Sequence, residues 1–400
     1  ERFTFSERVT VIAGVNGRGK SAILDGLSLL LSRLLPQVTP AKGGYKYLKP
    51  QDLHHDERTL KLTLSASFEG IPVDFAIDYG LADGQRPTKL LPQIKREIQR
   101  IYGDPQRAGD AAPIAVYYTT DRAAYRLPKR LLTGLPQDQR AAYHGALFNR
   151  QIDFRDFMSR YHEWEDSIAR GEDRDGNKQR TLNTINRAVR EFLPGFSDVR
   201  VVLDPLRLLV SKQGQSLDLT QMSDGERSLM AMMIDLCRRL VLANPELDDP
   251  LQGTGVVLID EIELHLHPQW QREIVEKLRR TFPRMQFILT THSPFVIQSA
   301  YSSNELVLLD AQPLDRLENK GVEEIAKALM GVERPEVSKR YQTMKAVARS
   351  YLEILNEASL APEDKLERYK DRLAEAISPY ADNPAFQAFL EMKRAAKLGE

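Results

Sequence analysis

Residues 14–21 read Gly-Val-Asn-Gly-Arg-Gly-Lys-Ser, and the spacing G-x-x-x-x-G-K-S suits one chemistry, the wrapping of a polyphosphate. Gly14, Gly17 and Gly19 permit a tight turn in which backbone N–H groups converge on phosphate oxygens, and the next helix adds its positive end. Lys20 is placed to bridge the outer phosphates and Ser21 to offer its hydroxyl to Mg²⁺. The candidate nucleotide contacts are therefore Gly14, Asn16, Gly17, Arg18, Gly19, Lys20, Ser21 and Ala22, with ATP and Mg²⁺ as the implied ligands. Far along the chain, the apolar run 255–259 ends in Asp260 and Glu261. Asp260 suits the Mg²⁺ shell beside Ser21, and Glu261 suits the polarisation of an attacking water as general base. A further apolar run leads through Thr290 and Thr291 to His292, whose imidazole can hydrogen-bond a terminal phosphate and so tell ATP from ADP.

These groups need elements to hold them. Val9-Thr10-Val11-Ile12-Ala13 reads as the strand entering the loop, and residues 22–35 as the helix leaving it, with Ile23, Leu27, Leu30, Leu31 and Leu34 apolar. Ser223 and Glu226 stand in S-x-x-E spacing before a helix at 228–242, a capping box that exposes the first helical N–H groups. Ser223, Asp224, Gly225 and Glu226 thus join the candidate set, since a hydroxyl, an open backbone and a helix dipole all favour a polyanion.

Strict alternation at 59–68 predicts a half-exposed antiparallel strand, paired with 72–79 through Glu69-Gly70. The segment 80–112 reads as a polar insertion with one short helix. Continuously apolar 113–118 predicts a buried strand ending at 119–122, where α/β proteins present polar groups to a ligand. Helical periodicity occupies 123 to about 194, broken at 170–177. Strands resume at 199–203, 207–211, 216–219 and 305–310, helices follow at 321–330, 338–360 and 362–377, and the stretch 379–386 with a terminal helix closes the chain. The predicted class is α/β, a mixed sheet with an antiparallel β layer, an inserted helical lobe and a helical C-terminal tail. Expected domains are 1–122, 123–197, 198–320 and 321–400. Residues 2–5 look like the end of a strand, and a short strand is expected upstream of residue 1.

Lys and Arg together number 56, as do Asp and Glu, so no global field draws the chain to nucleic acid or anionic membrane. A local excess exists within 122–160, where Arg122, Arg126, Lys129, Arg130, Arg140, Arg150, Arg155 and Arg160 face only Asp138, Asp153 and Asp156. DNA is thus a possible partner, with solvated helix faces and inter-subunit pairing as the competing explanation. The single cysteine, Cys237, excludes an intramolecular disulfide, and no apolar stretch is long enough to span a bilayer. A cytoplasmic protein is expected. His265 and His267 lack the further ligands a zinc site needs.

Five parts in order carry a resemblance. The segment Met222 to Arg227 resembles the LSGGE signature of ATP-binding-cassette ATPases. The order of phosphate loop, signature, acidic pair, Glu263-x-x-Leu266-His267-Pro268 and His292 resembles the RecF, SMC and OLD group. The resemblance implies a D-loop at 263–268 and an H-switch at His292. It also implies head-to-tail dimers in which Ser223–Glu226 of one copy covers the γ-phosphate held by the other. A Q-loop glutamine has no clear match: Gln51 looks like an ordinary turn, and 119–122 is the better topological candidate. The interval from Ser21 to Ser223 lacks the heptads of SMC arms, and no D-x-D strand end follows His292, as a Toprim nuclease in cis would need. The Met330-Gly331-Val332-Glu333-x-Pro335 turn and helical tail resemble the PtuA-type ATPases of Septu and retron-associated antiphage systems. That resemblance runs over essentially the whole chain and implies a separate HNH-type nuclease partner, PtuB-like, controlled by nucleotide state. The competing expectation is a RecF-like clamp that closes on DNA.

Overall fold

The computed structural model describes residues 1–39, 41, 46–53, 55–102, 111–123, 128–136, 138–148, 151–152, 154–300, 303–309, 321–330, 339–360, 362–378 and 383–398. It divides into two compact units, residues 1–325 and 326–400.

In the first unit, β1 (Val9–Ala13) is buried along its whole length, as expected of a β-branched run covered on both faces. After the loop, α1 (Lys20–Leu34) starts with Gly19 as its N-cap at φ 88 and buries Leu24, Leu27, Leu31 and Leu34. β2 (Thr59–Phe68) and β3 (Ile71–Gly80) pair antiparallel, Phe68 opposite Ile71. Their two-residue turn, Glu69 and Gly70, has φ 47 and 89, the doubly positive form that matches hairpin twist. β4 (Gly84–Pro87) completes this three-stranded sheet, and α2 (Pro92–Tyr102) packs Ile98 into the core beside it. β4 is absent from the sequence reading because Gly-Gln-Arg-Pro carries no periodicity; pairing with β3 alone makes it a strand.

β5 (Ile114–Tyr118) is fully buried, and α3 (Arg140–Tyr143), α4 (Phe154–Ala169) and α5 (Asn177–Phe192) follow. β6 (Phe196–Leu203), β7 (Leu206–Lys212) and β8 (Gln215–Asp218) form a second antiparallel sheet. β6 begins before residue 199 because a register shift between Ser197 and Arg200, with Asp198 at φ 51, hides its alternation. α6 (Asp224–Ala243) is buried nearly all round and forms the centre of the largest core, with α3, α4 and α5 against it. β9 (Gly255–Ile259), α7 (Pro268–Thr281), β10 (Met285–Thr291), α8 (Pro294–Ile297), β11 (Leu306–Leu308) and α9 (Val322–Met330) come next.

Five strands pair in the order β11-β1-β10-β9-β5, all parallel. The expected antiparallel layer is present as the two separate three-stranded sheets. Because parallel strands share a direction, the segments after β1, β5, β9 and β10 emerge at one edge, which gathers groups from four distant stretches. In the second unit, α10 (Lys339–Ser359), α11 (Glu363–Ile377) and α12 (Pro384–Leu398) enclose Tyr351, Leu355, Leu373 and Leu390. The turn at 331–335, Arg107, Arg126, Arg150, Asp153, Asp310 and residues 379–382 lie outside the described residues.

Candidate functional site

β1 delivers the loop and α1 receives it. Asn16, Gly17, Arg18 and Gly19 are exposed, as are Ser21 and Ala22 at the start of α1. Gly17 and Gly19 have φ +83 and +88, and a Cβ on either would meet nothing within 4 Å. Backbone conformation, rather than crowding, demands glycine at both, and the loop face is open to a polyanion. Lys20 is only 6 % exposed, and its ammonium donates to the carbonyls of Gly14 (2.8 Å) and Val15 (3.0 Å). The amine is therefore held across its own loop, where phosphates would lie.

The Ser21 hydroxyl donates to Asp260 Oδ2 at 2.8 Å and Oδ1 at 3.1 Å, joining the start of α1 to the end of β9. Thr290 Oγ1 donates to Asp260 Oδ1 at 2.5 Å and accepts the Glu261 N–H at 2.8 Å. Oxygen donors alone, few in number and beside a phosphate cradle, fit Mg²⁺, which keeps waters and phosphate oxygens for its other positions. Among the described residues there is no group of three or more His, Cys, Asp or Glu that could hold a metal ion. His267 instead caps α7, its Nδ1 accepting the Gln269 N–H at 3.3 Å.

Glu261 and His292 face each other, Oε1 to Nε2, at 3.8 Å, and His292 Nδ1 lies 3.4 Å from Lys20 Nζ. An ammonium only donates, so Nδ1 accepts and the ring proton sits on Nε2, toward Glu261. Glu263 holds the backbone that carries this ring: its carboxylate accepts the Thr291 hydroxyl at 2.8 Å and the His292 backbone N–H. The structure thus brings Lys20, Ser21, Asp260, Glu261 and His292 into one mouth.

Residues 223–226 form a second cluster. The capping box is present, with Glu226 N–H to Ser223 Oγ at 3.4 Å and Ser223 N–H to Glu226 Oε2 at 3.2 Å. Burial pushes the Glu226 carboxyl up, but Lys212, 2.6 Å away, and Ser223 hold it below its ordinary value. Asp224 pairs with Arg227. Gly225 is buried, and a Cβ there would lie 2.4 Å from the His265 carbonyl oxygen. Its missing side chain lets the signature turn rest on the backbone at 265.

Three positions take roles that the sequence reading did not assign to them. Thr290 and Glu263 order the reacting groups, and the available signal was polar residues within or beside otherwise buried apolar runs. Arg122 is the third. Counted by sequence among surface cations, it is 3 % exposed and donates to the carbonyls of Asp260 (Nη1, 2.5 Å) and Glu261 (Nη2, 2.7 Å). Burial lowers its pKa to about 10, with Asp260, Glu263 and Glu261 opposing, so it stays charged at neutral pH. Arg160 is likewise 1 % exposed and paired with Asp156. The basic excess at 122–160 is therefore smaller at the surface than the count suggests. Gln51 is exposed in a 3-10 turn closed by Lys49 N–H to Asp52 Oδ2 at 2.7 Å, which makes it a turn residue.

The model of the family described as "AAA domain, putative AbiEii toxin, Type IV TA system" matches residues 9–298. The chain belongs to this AAA family. Its α/β P-loop ATPase-like fold agrees with the phosphate loop, the parallel sheet and the acidic pair. Relatives include the Retron Vc95 probable ATPase of Vibrio cholerae serotype O1 biovar El Tor, 29 % identical over 75 % of this chain and 69 % of that protein. The Retron Ec83 probable ATPase of Escherichia coli is 48 % identical over 33 % of this chain, and the Septu protein PtuA of Bacillus mycoides 39 % identical over 23 %. The chain matches 24 % of the Ec83 protein's length and 12 % of that PtuA's. The chain is thus similar to the ATPases of retron and Septu defence systems. Among solved structures, the SmcHead bound to the C-winged helix domain of ScpA aligns with 74 % of this chain and 86 % of that chain, at 18 % identity and TM-score 0.43. Among the described residues, no helix is long and apolar enough to cross a membrane.

Proposed function

We propose that this chain binds ATP with Mg²⁺ at the mouth formed by residues 14–22, 260–261 and 292, and hydrolyses it slowly as a regulatory ATPase. The observation that carries the reading is the convergence of Lys20, the Ser21–Asp260 pair and the Glu261–His292 pair at the ends of neighbouring parallel strands. Lys20 holds the β- and γ-phosphates, Glu261 takes the proton of the attacking water, and His292 donates its Nε2 proton toward the γ-phosphate or Glu261. Ser21 and Asp260 would hold Mg²⁺, which supplies charge neutralisation on the phosphate oxygens. Two copies close head to tail, Ser223–Glu226 of one capping the nucleotide of the other.

The nucleotide state then governs a separate HNH-type nuclease in cytoplasmic antiphage defence, a reading supported by the retron and Septu names of the relatives and by nucleotide motifs without a cleavage motif. In this scheme 1–122 and 198–320 are the two ATPase lobes, 123–197 the inserted helical lobe and 321–400 a contact for partner or further copies. ATP binding alone closes the assembly and hydrolysis resets it. Burial of Arg122 and Arg160 weakens the alternative of a DNA clamp built on the 122–160 lobe.

The test is steady-state turnover, with native mass of the protein co-expressed with its neighbouring genes. Glu261→Gln should slow hydrolysis by about 10²-fold or more and trap a closed assembly that keeps its partner, while Lys20→Ala loses nucleotide. Wild-type turnover in Glu261→Gln rejects the assigned base. A partner-free dimer that forms with ATP and retains duplex DNA rejects the nuclease scheme.

A further inference from the structure

Arg122 is buried against the backbone that carries two of the groups that would touch nucleotide, and its guanidinium donates to backbone carbonyls. We propose that Arg122 is a positioning residue for hydrolysis, its guanidinium fork holding the consecutive carbonyls of Asp260 and Glu261 and so fixing where the Glu261 carboxylate points. The inference rests on the ATPase reading above and assigns a part of that site.

Glu261 has φ 46, a left-handed backbone conformation that non-glycine residues keep only under restraint. The restraints are visible on both sides of the residue. Its N–H donates to Thr290 Oγ1 at 2.8 Å and its carbonyl accepts from Arg122 Nη2 at 2.7 Å. The Asp260 N–H donates to the Tyr118 carbonyl at 2.9 Å, and the Asp260 carbonyl accepts from Arg122 Nη1 at 2.5 Å. Without the guanidinium, the Asp260 carbonyl loses the Arg122 donor and the Glu261 carbonyl keeps only the Leu264 N–H at 2.9 Å. With two of its restraints gone, the Glu261 peptide can relax toward an unstrained φ, carrying the carboxylate away from His292, now 3.8 Å distant.

The choice of arginine follows from the geometry. A planar fork reaches two carbonyls with fixed separation, whereas an ammonium on a flexible stem is a single point of charge. Nη1 also donates to the Thr119 carbonyl at 3.1 Å, which ties the fork to the end of β5. The preceding residue, Tyr118, donates its hydroxyl to Asp235 of α6 at 2.9 Å, so the segment bearing Arg122 is itself anchored.

Turnover, nucleotide affinity and melting temperature of the full-length protein would be measured for wild type, Arg122→Lys, Arg122→Gly and Glu261→Gln. Arg122→Lys should keep the nucleotide Kd and melting temperature while kcat falls about 10²-fold, the scale of a misplacement near 1 Å. Arg122→Gly should lose at least as much, and added guanidinium should restore part of kcat. A merely structural arginine would instead lower melting temperature and affinity together with kcat and show no rescue, which overturns the proposal. Wild-type kcat in Arg122→Lys overturns it too, and that variant decides where Arg122→Gly does not fold. Glu261→Gln separates the two readings: if it turns over normally, the general base is wrong and this inference falls with it. If it is inactive while Arg122→Lys is not, only the positioning role fails.

Discussion

Gly225 offers a test in which the coordinates set the size of the effect. A methyl group there would sit 2.4 Å from the His265 carbonyl oxygen and 3.2 Å from its carbon. An ordinary carbon–oxygen contact is about 3.3 Å, so Gly225→Ala requires a displacement of roughly 0.9 Å between two backbones. Neither gives easily. His265 is held at φ 63, and Leu266, nearly buried, donates its N–H to Glu263 at 2.8 Å. α6 is enclosed by the core. Overpacking of this kind costs about 1–3 kcal/mol, and the helix preference of alanine over glycine returns at most about 1 kcal/mol. A net loss of about 1–2 kcal/mol should appear as a lower urea midpoint at unchanged slope. Turnover should fall as well, since the shift displaces the 263–267 segment that positions His292 through Glu263. Ser223→Ala is the control, because it removes a cap worth about 1 kcal/mol without any clash. Wild-type midpoint and turnover in Gly225→Ala would refute the contact between Gly225 and the His265 backbone, and with it the structural reason for glycine.

Two further outcomes follow from buried polar groups. Asp235, 5 % exposed, accepts from Arg239 Nε at 2.7 Å, Arg238 Nη2 at 2.8 Å and the Tyr118 hydroxyl at 2.9 Å. Burial pushes its carboxyl up, but Arg239 and Arg238 outweigh it and hold it well below the usual carboxylate range. Asp235→Asn removes the charge shared by two buried guanidinium groups, leaving Arg238 on Asp156 and Arg239 on the carbonyls of Ala142 and His144, and should cost about 1.5–3 kcal/mol in urea unfolding. Because the folded-state pKa is depressed, this stabilisation is complete above the unfolded value of about 3.9 and disappears as pH falls toward the folded one. Wild type and variant should converge on acidification, and a gap that stays constant down to about pH 2 would count against the ion pair. Thr290→Val keeps the side-chain shape but deletes the hydroxyl shared by Asp260 and Glu261. Turnover should fall by the equivalent of about 1–3 kcal/mol, with half-saturation moved to higher Mg²⁺; identical Mg²⁺ titrations would contradict the assigned order of the site.

The groups that would touch nucleotide were legible because their chemistry is local. A phosphate loop needs its glycines, lysine and serine within eight residues, and its strand and helix are the immediate neighbours. Paired acids and a histidine at strand ends become readable once those strands are recognised as buried and parallel. What escaped was whatever depends on which chain segment lies beside which. Arg122 reads both as a cation in a basic stretch and as part of a ligand-facing strand end, and only β5 paired to β9 shows it set against the carbonyls of Asp260 and Glu261. Gly225 reads as an open turn for phosphate until the His265 backbone is found in the space a side chain would fill. β4 has no pattern of its own, and β6 loses its pattern at a register shift.

The same contacts explain why the signature and the acidic pair behave as parts of one body within a single copy. α6 touches the segment after β9 at its first turn, through Gly225 and His265, and holds the end of β5 further along, through Asp235 and Tyr118. β5 in turn carries Arg122 to the carbonyls of Asp260 and Glu261. A helix buried along most of its length and fixed at these two points cannot shift its N-terminus without loading one of them, because packed interiors transmit displacement rather than absorb it.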